Sequence, residues 1–351
     1  MRLDDLRAVI RTAHDSGTAL RLRGGGSKDF YGGMLAGEVF DVAAYRGIVA
    51  YESSELYITA RCGTPLAEIE AVLAEQGQML AFEPPHFGAA TIGGCVAAGL
   101  AGPRRQQAGA VRDFVLGAKL IDGTGQVLDF GGQVMKNVAG YDVSRLLAGS
   151  LGTLGLIAQL TLKVLPRPVA EATLCFALDE AEAIARLNAW GGQPLPVSGS
   201  FWAAGQLFLR LSGARAAVDA ACTRLGGEKL EAAGAFWLAV REQTHPAFTG
   251  QLLWRLALPS TTVPLAIDGL RAVEWGGGLR WYAGDVSPAV LREVAQRAGG
   301  HAVLYRAPES QRCLEGAFAP LSPALLGVHR RLKNIFDPQG ILNPGRLYAE
   351  L

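Results

Sequence analysis

Residues 21–33 read RLRGGGSKDFYGG, five glycines in thirteen positions behind a short alternating stretch. A glycine run after a strand lets the backbone approach something that a Cβ would hold off. Two partners fit: an anion held by successive N–H groups, or another piece of chain. The loop is one of several. The chain has 45 glycines in 351 residues, clustered at 24–37, 88–102, 109–155 and 276–284. That is well above the roughly 7% of an average protein.

The common nucleotide fingerprints do not match the loop. A Walker A loop needs Lys-Ser/Thr opening a helix, and here Lys28 follows Ser27. A dinucleotide fingerprint needs a third glycine before a helix, but Asp29 holds that position and strand-like runs follow. A backbone nest needs no helix dipole, and Arg23, Ser27 and Lys28 supply donors at its edge. Two later segments have the same character: EPPHFGAATIGGCVAAGLAG (83–102), where Thr91 adds a hydroxyl, and GSLGTLGLI (149–157). Both suit either a flat ligand or close packing of two backbones.

The length suits two or three domains. Thirty-three basic against 32 acidic residues leave a net charge of +1, which gives no footprint for nucleic acid or an anionic membrane. The five cysteines lie outside metal-ligand spacing, so the expectation is buried thiols in a reducing cytoplasm, with no disulfide framework and no metal site. Charged residues interrupt MRLDDLRAVIRTAHDSG, so no signal peptide is expected. The most apolar stretch, 89–102, is too short and glycine-rich to span a bilayer.

Leu3, Leu6, Val9, Ile10 and Ala13 follow helical spacing, with Gly17 as the cap. Strands are expected at 18–23, 38–45, 47–52 and 56–63. A helix then follows from Thr64 as N-cap and Pro65 to Gln76. Residues 83–112 read as irregular chain. A hairpin over 115–131 turns at Asp122-Gly123-Thr124-Gly125. A short helix near 142–148 and a buried strand ending at Pro166 complete the region.

Beyond Pro168 strands alternate with helices: ATLCFAL, FWAAGQLFLRL, LLWRLALP, GLRWYAGD and HAVLYRAP against AEAIARLNAW, ARAAVDAACTRL and VLREVAQRAG. The pattern suggests an α+β domain, an antiparallel sheet with helices on one face. The boundaries expected are 1–168 (subdomains about 1–77 and 78–168), 169–318, and a tail at 319–351. In the tail a helix over about 322–336 offers Leu325, Val328, Leu332, Ile335 and Phe336 for packing. DPQGILNPGRLY (337–348) returns to the first domain as a clasp. Arg104-Arg105 and Arg330-Arg331 read as solvated or interface charges.

RLRGGGSKDFYGG, PPHFGAATIGGCVAAGLAG, the 136–168 segment and FDPQGILNPGRLY occur here in the order seen in FAD-linked oxidases. By these motifs the chain resembles the family named for vanillyl-alcohol oxidase and p-cresol methylhydroxylase. Within it the chain is most similar to FAD-binding subunits of bacterial glycolate oxidase. The resemblance covers the first domain and the tail and is much weaker from 170 to 310. It implies a two-subdomain FAD-binding domain of the p-cresol methylhydroxylase type with an antiparallel, ferredoxin-like cap.

The resemblance also implies which residues hold FAD. The first loop, Arg23, Gly24, Gly25, Gly26, Ser27 and Lys28, would wrap the pyrophosphate. Thr91, Ile92, Gly93, Gly94, Ala98 and Gly99 would pass along pyrophosphate and flavin, with Gly102, Gly109 and Asp113 lining the same cleft. Gly149, Gly152, Thr153, Gly155 and Ile157 would hold the adenosine end, and Asn343, Pro344 and Gly345 would approach the flavin ring. Relatives that fasten the flavin covalently use a histidine where this chain has Gly26-Ser27. Cys95 is also not at the cysteinyl-flavin position, so non-covalent FAD is expected.

Family members that oxidise 2-hydroxy acids carry a His-x-His pair in the second domain. The five histidines here, His14, His86, His245, His301 and His329, form no such pair. His86 is the local candidate for an acid–base role, or else a structural or flavin-contacting residue. Lys136, Tyr141 and Asp142 are either loop-fixing hydrogen bonders or cofactor neighbours. The resemblance implies a subunit in a complex with a sister FAD subunit and an iron–sulfur subunit. That complex would oxidise a small 2-hydroxy acid, glycolate, to glyoxylate in the cytoplasm, with any inner-membrane contact made through partners. Two alternatives stand beside it: a self-sufficient FAD-dependent D-2-hydroxy-acid dehydrogenase, and a non-catalytic structural flavin subunit.

Overall fold

The structure is a computed structural model that describes residues 1–132, 142–284 and 286–351, with the side chains of residues 270 and 271 outside the description. Lys136 and Tyr141 therefore lie outside the described residues.

The first half contains α1 (Leu3–Ser16), β1 (Leu20–Arg23), β2 (Glu38–Asp41), β3 (Ile48–Glu52), β4 (Tyr57–Arg61), α2 (Leu66–Glu75) and β5 (Gln78–Met79). It continues with α3 (Ile92–Ala98), α4 (Arg105–Ala108), β6 (Val115–Ile121), β7 (Val127–Gly131), α5 (Val143–Leu146), β8 (Leu156–Lys163) and β9 (Leu165–Pro166). Five strands form an antiparallel sheet in the order β3-β4-β8-β6-β7, and β1 pairs with β2 in parallel beside it.

Local chemistry explains much of this. Leu6, Ile10 and Ala13 put one buried stripe on α1, and Gly17 ends it in the left-handed conformation. At the β6–β7 turn the buried Asp122 accepts from Thr124 N at 2.9 Å, Thr124 Oγ1 at 2.7 Å and Gln126 N at 2.9 Å. Thr64 does not cap α2. Its hydroxyl accepts from Gly47 N–H at 2.9 Å and donates to the Arg61 carbonyl at 2.7 Å, leaving Pro65 at the N-cap.

Residues 83–112 are not wholly irregular. Within them α3 runs between an N-cap, Thr91, whose hydroxyl accepts from Gly94 N–H at 3.4 Å, and a left-handed Gly99. Two glycines make IGGCVAA a poor helix by propensity. Burial of Ile92, Cys95 and Val96 in the main core holds it in place.

The second half contains β10 (Ala170–Ala177), α6 (Glu180–Gly191), β11 (Val197–Ala203), β12 (Gln206–Gly213), α7 (Arg215–Leu225), β13 (Glu228–Lys229) and α8 (Ala233–Arg241). It ends with β14 (Leu253–Ala257), β15 (Leu270–Glu274), β16 (Leu279–Tyr282), α9 (Pro288–Arg297), β17 (His301–Arg306), α10 (Glu309–Glu315) and α11 (Pro323–Phe336). Its eight strands form one antiparallel sheet in the order β13-β10-β12-β11-β15-β16-β14-β17. Read as quartets, β13-β10-β12-β11 is the ferredoxin-like order, and β15-β16-β14-β17 is its counterpart with a loop in place of the first helix. The two quartets meet edge to edge at β11 and β15, where Phe201 pairs with Glu274.

FWAAGQLFLRL is a hairpin rather than a single strand. Ala204 and Gly205, at φ 48° and 77°, make the primed two-residue turn that suits right-twisted strands.

On α11 Phe336 and Lys333 are buried, whereas Leu325, Val328 and Ile335 are exposed rather than packed. Of the cysteines, Cys62 and Cys95 are buried, Cys175 and Cys222 are half-buried and Cys313 is exposed. Arg104 is not a solvated charge. It is buried and faces Glu83 at 3.4 Å and Glu171 at 2.5 Å.

The tail folds back on the first half. Leu20 N–H donates to the Ile341 carbonyl at 2.7 Å, Asn343 N–H to Leu20 at 2.9 Å, and Gly123 N–H in the hairpin turn to Phe336 at 2.7 Å.

Candidate functional site

The glycine loop after β1, the α3 helix, the turn entering β8 and the terminal clasp surround one cleft of about 910 Å³, counted to its open mouth. Arg23, Gly24, Gly25, Gly26, Ser27 and Lys28 line one side. Thr91, Gly93, Gly94 and Ala98 line a second, Gly152, Gly155 and Ile157 a third, and Asn343 closes the end. Segments up to about 320 residues apart in sequence thus meet in one place.

Each glycine answers to a particular neighbour. A Cβ on Gly25 would fall on the Ala89 carbonyl oxygen, and one on Gly24 on the Thr91 hydroxyl. A Cβ on Gly93 would stand 2.6 Å from Cys62 Cβ. At these positions glycine serves contact between two pieces of chain. Gly94 differs: only the Thr91 hydroxyl, at 3.3 Å, neighbours its would-be Cβ, and the residue lines the cleft.

The loop's polar groups suit a phosphate-bearing ligand. Among the described residues, no N–H from Gly24 to Lys28 donates to a protein acceptor. Gly26 adopts φ 69°, the left-handed turn that points successive N–H groups to one side. Arg21 and Arg23 also line the cleft, and the Nε of each is buried without a hydrogen bond. Their shared counter-ion is Asp29, 2.5 Å from Arg21 and 3.5 Å from Arg23. Unpaired donors cost free energy when buried, and a diphosphate would satisfy them. The residues present therefore fit a dinucleotide diphosphate.

Lys28 stands where the loop meets the second half. Its ammonium donates to Ser27 Oγ at 3.2 Å and to the His86 carbonyl at 3.3 Å, and lies 5.5 Å from the Phe87 ring centre. Burial holds its pKa below the usual lysine value. Cys62 lines the cleft and Cys95 is buried beside it, both with thiols pushed up to about 12 by burial. Each is a neutral thiol at neutral pH.

The remaining expected residues stand outside the cleft lining. Ile92 is in the main core. Gly99 and Gly149 approach one another, with a Gly99 Cβ 3.0 Å from the Gly149 backbone. Gly102 accepts from Trp275 Nε1 at 3.1 Å. Asp113 accepts from Ala110 N–H at 2.8 Å beside Gly109. Thr153 donates to the Ser150 carbonyl at 2.8 Å and accepts from Lys333 at 2.9 Å. The His86 ring pairs with Glu70 at 3.0 Å, and its backbone N–H donates to Glu242, so it is tied on both sides and does not line the cleft. Asp142 accepts from Ser144 Oγ and Arg145 N–H at the start of α5.

Residues that sequence reasoning missed include Arg21, Cys62, Leu151 and Arg346, all lining the cleft. Arg21 was legible as the second arginine of an alternating strand, two positions before Arg23 and on the same face. Arg346 lies three residues past Asn343. Its buried guanidinium donates to the carbonyls of Gly33 at 2.5 Å, and of Lys28 and Asp29 at 3.1 Å, fastening the loop to the clasp.

The model of the FAD binding domain matches residues 2–131, and that of the C-terminal domain of FAD linked oxidases matches residues 319–347. The glycolate oxidase subunit GlcE of Escherichia coli (strain K12) is 47% identical over 97% of this chain and 96% of its own length. A D-2-hydroxyglutarate dehydrogenase of Xanthomonas citri pv. viticola is 28% identical over 53% of this chain and 40% of its own. The glycolate oxidase subunit GlcD of Bacillus subtilis (strain 168) is 30% identical over 40% of this chain and 30% of its own. Among solved structures, an alkyldihydroxyacetonephosphate synthase superposes with a TM-score of 0.67 over 97% of this chain and 74% of its own, at 14% identity, which speaks to the fold alone. No helix among the described residues is long and apolar enough to cross a membrane. The first half is an FAD-binding domain capped by an antiparallel sheet, and the chain belongs to the FAD-linked oxidases, on the branch of the glycolate oxidase subunit GlcE.

Proposed function

We propose that this chain is the FAD-binding flavoprotein subunit of a glycolate oxidase complex. There it takes part in oxidising glycolate to glyoxylate and in passing electrons to an iron–sulfur partner. The observation that carries this reading is the 47% identity, along nearly the whole of both chains, to a protein named as one subunit of a glycolate oxidase. A second relative named as a glycolate oxidase subunit, GlcD of Bacillus subtilis, is 30% identical over 40% of this chain, which supports a complex with more than one related subunit.

When bound, FAD supplies the two-electron acceptor for oxidation of a C–H bond. The chain's own residues bind and orient it. The Gly24–Lys28 N–H groups, Arg21 and Arg23, which line the cleft, would hold its diphosphate. The binding is non-covalent, since Gly26-Ser27 offers no histidine and the Cys62 thiol, pushed up to about 12, is held neutral. Ala98 and Leu151, which line the cleft, belong to the same apolar cluster as Tyr31, Trp281 and Tyr305.

The test is glycolate-dependent reduction of an artificial acceptor, by the chain alone and by the chain with its partner subunits. Turnover that needs the partners is expected. Full turnover by the isolated chain would overturn the subunit reading in favour of a self-sufficient dehydrogenase.

A further inference from the structure

The spacing along α11 predicts packing for Leu325, Val328 and Ile335, yet they stand in solvent, 53%, 41% and 72% exposed. The helix is held from its other side. Phe336 packs edge-on against Phe130 of β7, Leu332 rests on the main core, and Lys333 reaches the Thr153 and Leu342 carbonyls. The three outward residues join none of the apolar clusters that build the fold.

The outward residues form a seam. At 3.6 residues per turn, Ala324, Val328, Arg331 and Ile335 fall within a sector of about 60°. All four are exposed, and Leu325 flanks them. Their spacing of 4, 3 and 4 residues is the one with which a helix lies along another apolar ridge. The seam runs along about 17 Å of helix.

Positive charge alone borders this seam on its own helix. Arg330 and Arg331 are exposed, and neither makes a hydrogen bond or has a carboxylate within 4.0 Å among the described residues. The helix contains no acidic residue, and Asp337, just past its end, is buried against Lys333.

That charge pattern decides between two occupants. A two-fold pairing of two copies centred on the seam would bring Arg331 within about one turn of its own copy. Like charges would then meet in the middle of an apolar interface, which opposes association. A different chain, with an apolar ridge flanked by carboxylates, would bury Val328 and Ile335 at the centre and pair both arginines at the rim. An apolar centre, a polar rim and enrichment in arginine are the ordinary anatomy of an interface.

We propose that the outer face of α11 is the docking surface for a companion subunit that presents an apolar ridge edged with Asp or Glu. That the occupant is a subunit of the oxidase rests on the function proposed above. The apolar and basic character of the face rests on α11 itself.

The test is co-production of this chain with its companion flavoprotein and iron–sulfur subunits. The purified complex is sized by gel filtration with light scattering, over a dilution series and at low and high salt. The wild-type complex is expected to persist on dilution and to loosen as salt rises, because the rim contacts are ionic. Ile335→Asp should raise the concentration at which half the complex has dissociated by about tenfold or more. Arg331→Glu should also loosen the complex and remove most of its salt dependence. Both side chains are exposed, so flavin content and Tm of each variant should match the wild type. Arg331→Glu keeps the test decisive if Ile335→Asp does not fold.

A complex that forms with wild-type tightness in both variants would overturn the docking surface and leave the subunit reading standing. A wild-type chain that joins no companion at any concentration would remove the subunit reading, and this partner with it. A chain that alone forms a two-copy species, split by Ile335→Asp, would assign the face to self-association and overturn the proposal.

Discussion

Asn343 and Leu22, 321 positions apart, are joined by a hydrogen bond of 2.7 Å from Leu22 N–H to Asn343 Oδ1. The same amide donates through Nδ2 to the Leu151 carbonyl at 2.6 Å. One side chain thus ties the strand before the glycine loop, the turn before β8 and the terminal clasp into one wall of the cleft. Its backbone sits at φ 44°, which asparagine tolerates better than most residues. Asn343→Ala removes both bonds and leaves the Leu151 carbonyl unpaired. We expect a loss of about 2–4 kcal/mol from two buried hydrogen bonds, with a lower Tm and weaker FAD retention on gel filtration. Wild-type retention and Tm would contradict the clasp's role.

The glycines of the cleft should separate into two kinds. Gly25→Ala drives a methyl into the Ala89 carbonyl, so backbone must move. We expect little soluble folded protein, or a Tm lowered by many degrees. Gly94→Ala meets only the Thr91 hydroxyl at 3.3 Å and points into the cleft. It should fold, with FAD affinity reduced by tenfold or more. Thermal melts and flavin titration of the two variants side by side check the distinction.

Lys333 and Asp337 form a buried pair at 2.7 Å beneath the clasp. The ammonium also donates to the Thr153 and Leu342 carbonyls, at 2.9 and 2.8 Å, and the carboxylate accepts from Ile341 and Leu342 N–H groups. Lys333→Met leaves the carboxylate buried without its cation. Breaking such a pair from one side costs about 3–5 kcal/mol. Urea unfolding should show a drop of that order, and Asp337→Asn in the same background should recover part of it.

Much of the fold could be read from local chemistry, and the parts that could not share a cause. The α1 stripe, the DGTG hairpin and the NPG turn carry their signals within a few residues. By contrast α3 forms against the propensity of its two glycines, because Thr91 caps it and the core buries it. The Ala204-Gly205 turn lacks the usual Asn or Asp. On α11 the apolar positions Leu325, Val328 and Ile335 face outward while Lys333 turns inward, because the clasp supplies that lysine with two acceptors and the turn before β8 with a third. The cap face gave one hint, an arginine inside the apolar strand LLWRLALP. Its neighbours Trp281 and Val303 are assigned only once the strands are in register.

Glu274 should make stability depend on pH. Burial pushes its pKa up to about 7, Glu83 adds to the rise, and the Trp281 hydrogen bond and Arg255 oppose it. The unfolded chain gives up this proton near pH 4.5. Stability therefore falls as pH rises from about 4.5 towards 7 and is level above that. The full span is on the order of 3 kcal/mol. Glu274→Gln should flatten this part of the profile and raise the Tm at pH 8 relative to wild type. A wild-type slope that persists in the variant would assign it to other groups.

The central claim is that this chain carries FAD as one subunit of a larger oxidase. The most direct measurement is isolation of the native protein under mild conditions, with an absorption spectrum before and after acid precipitation and identification of every co-purifying chain. The account predicts a flavin spectrum, colour released to the supernatant by acid, and two companions, a second flavoprotein and an iron–sulfur protein. A colourless protein that takes up no added FAD, or a yellow protein that isolates alone and turns over glycolate by itself, would contradict it.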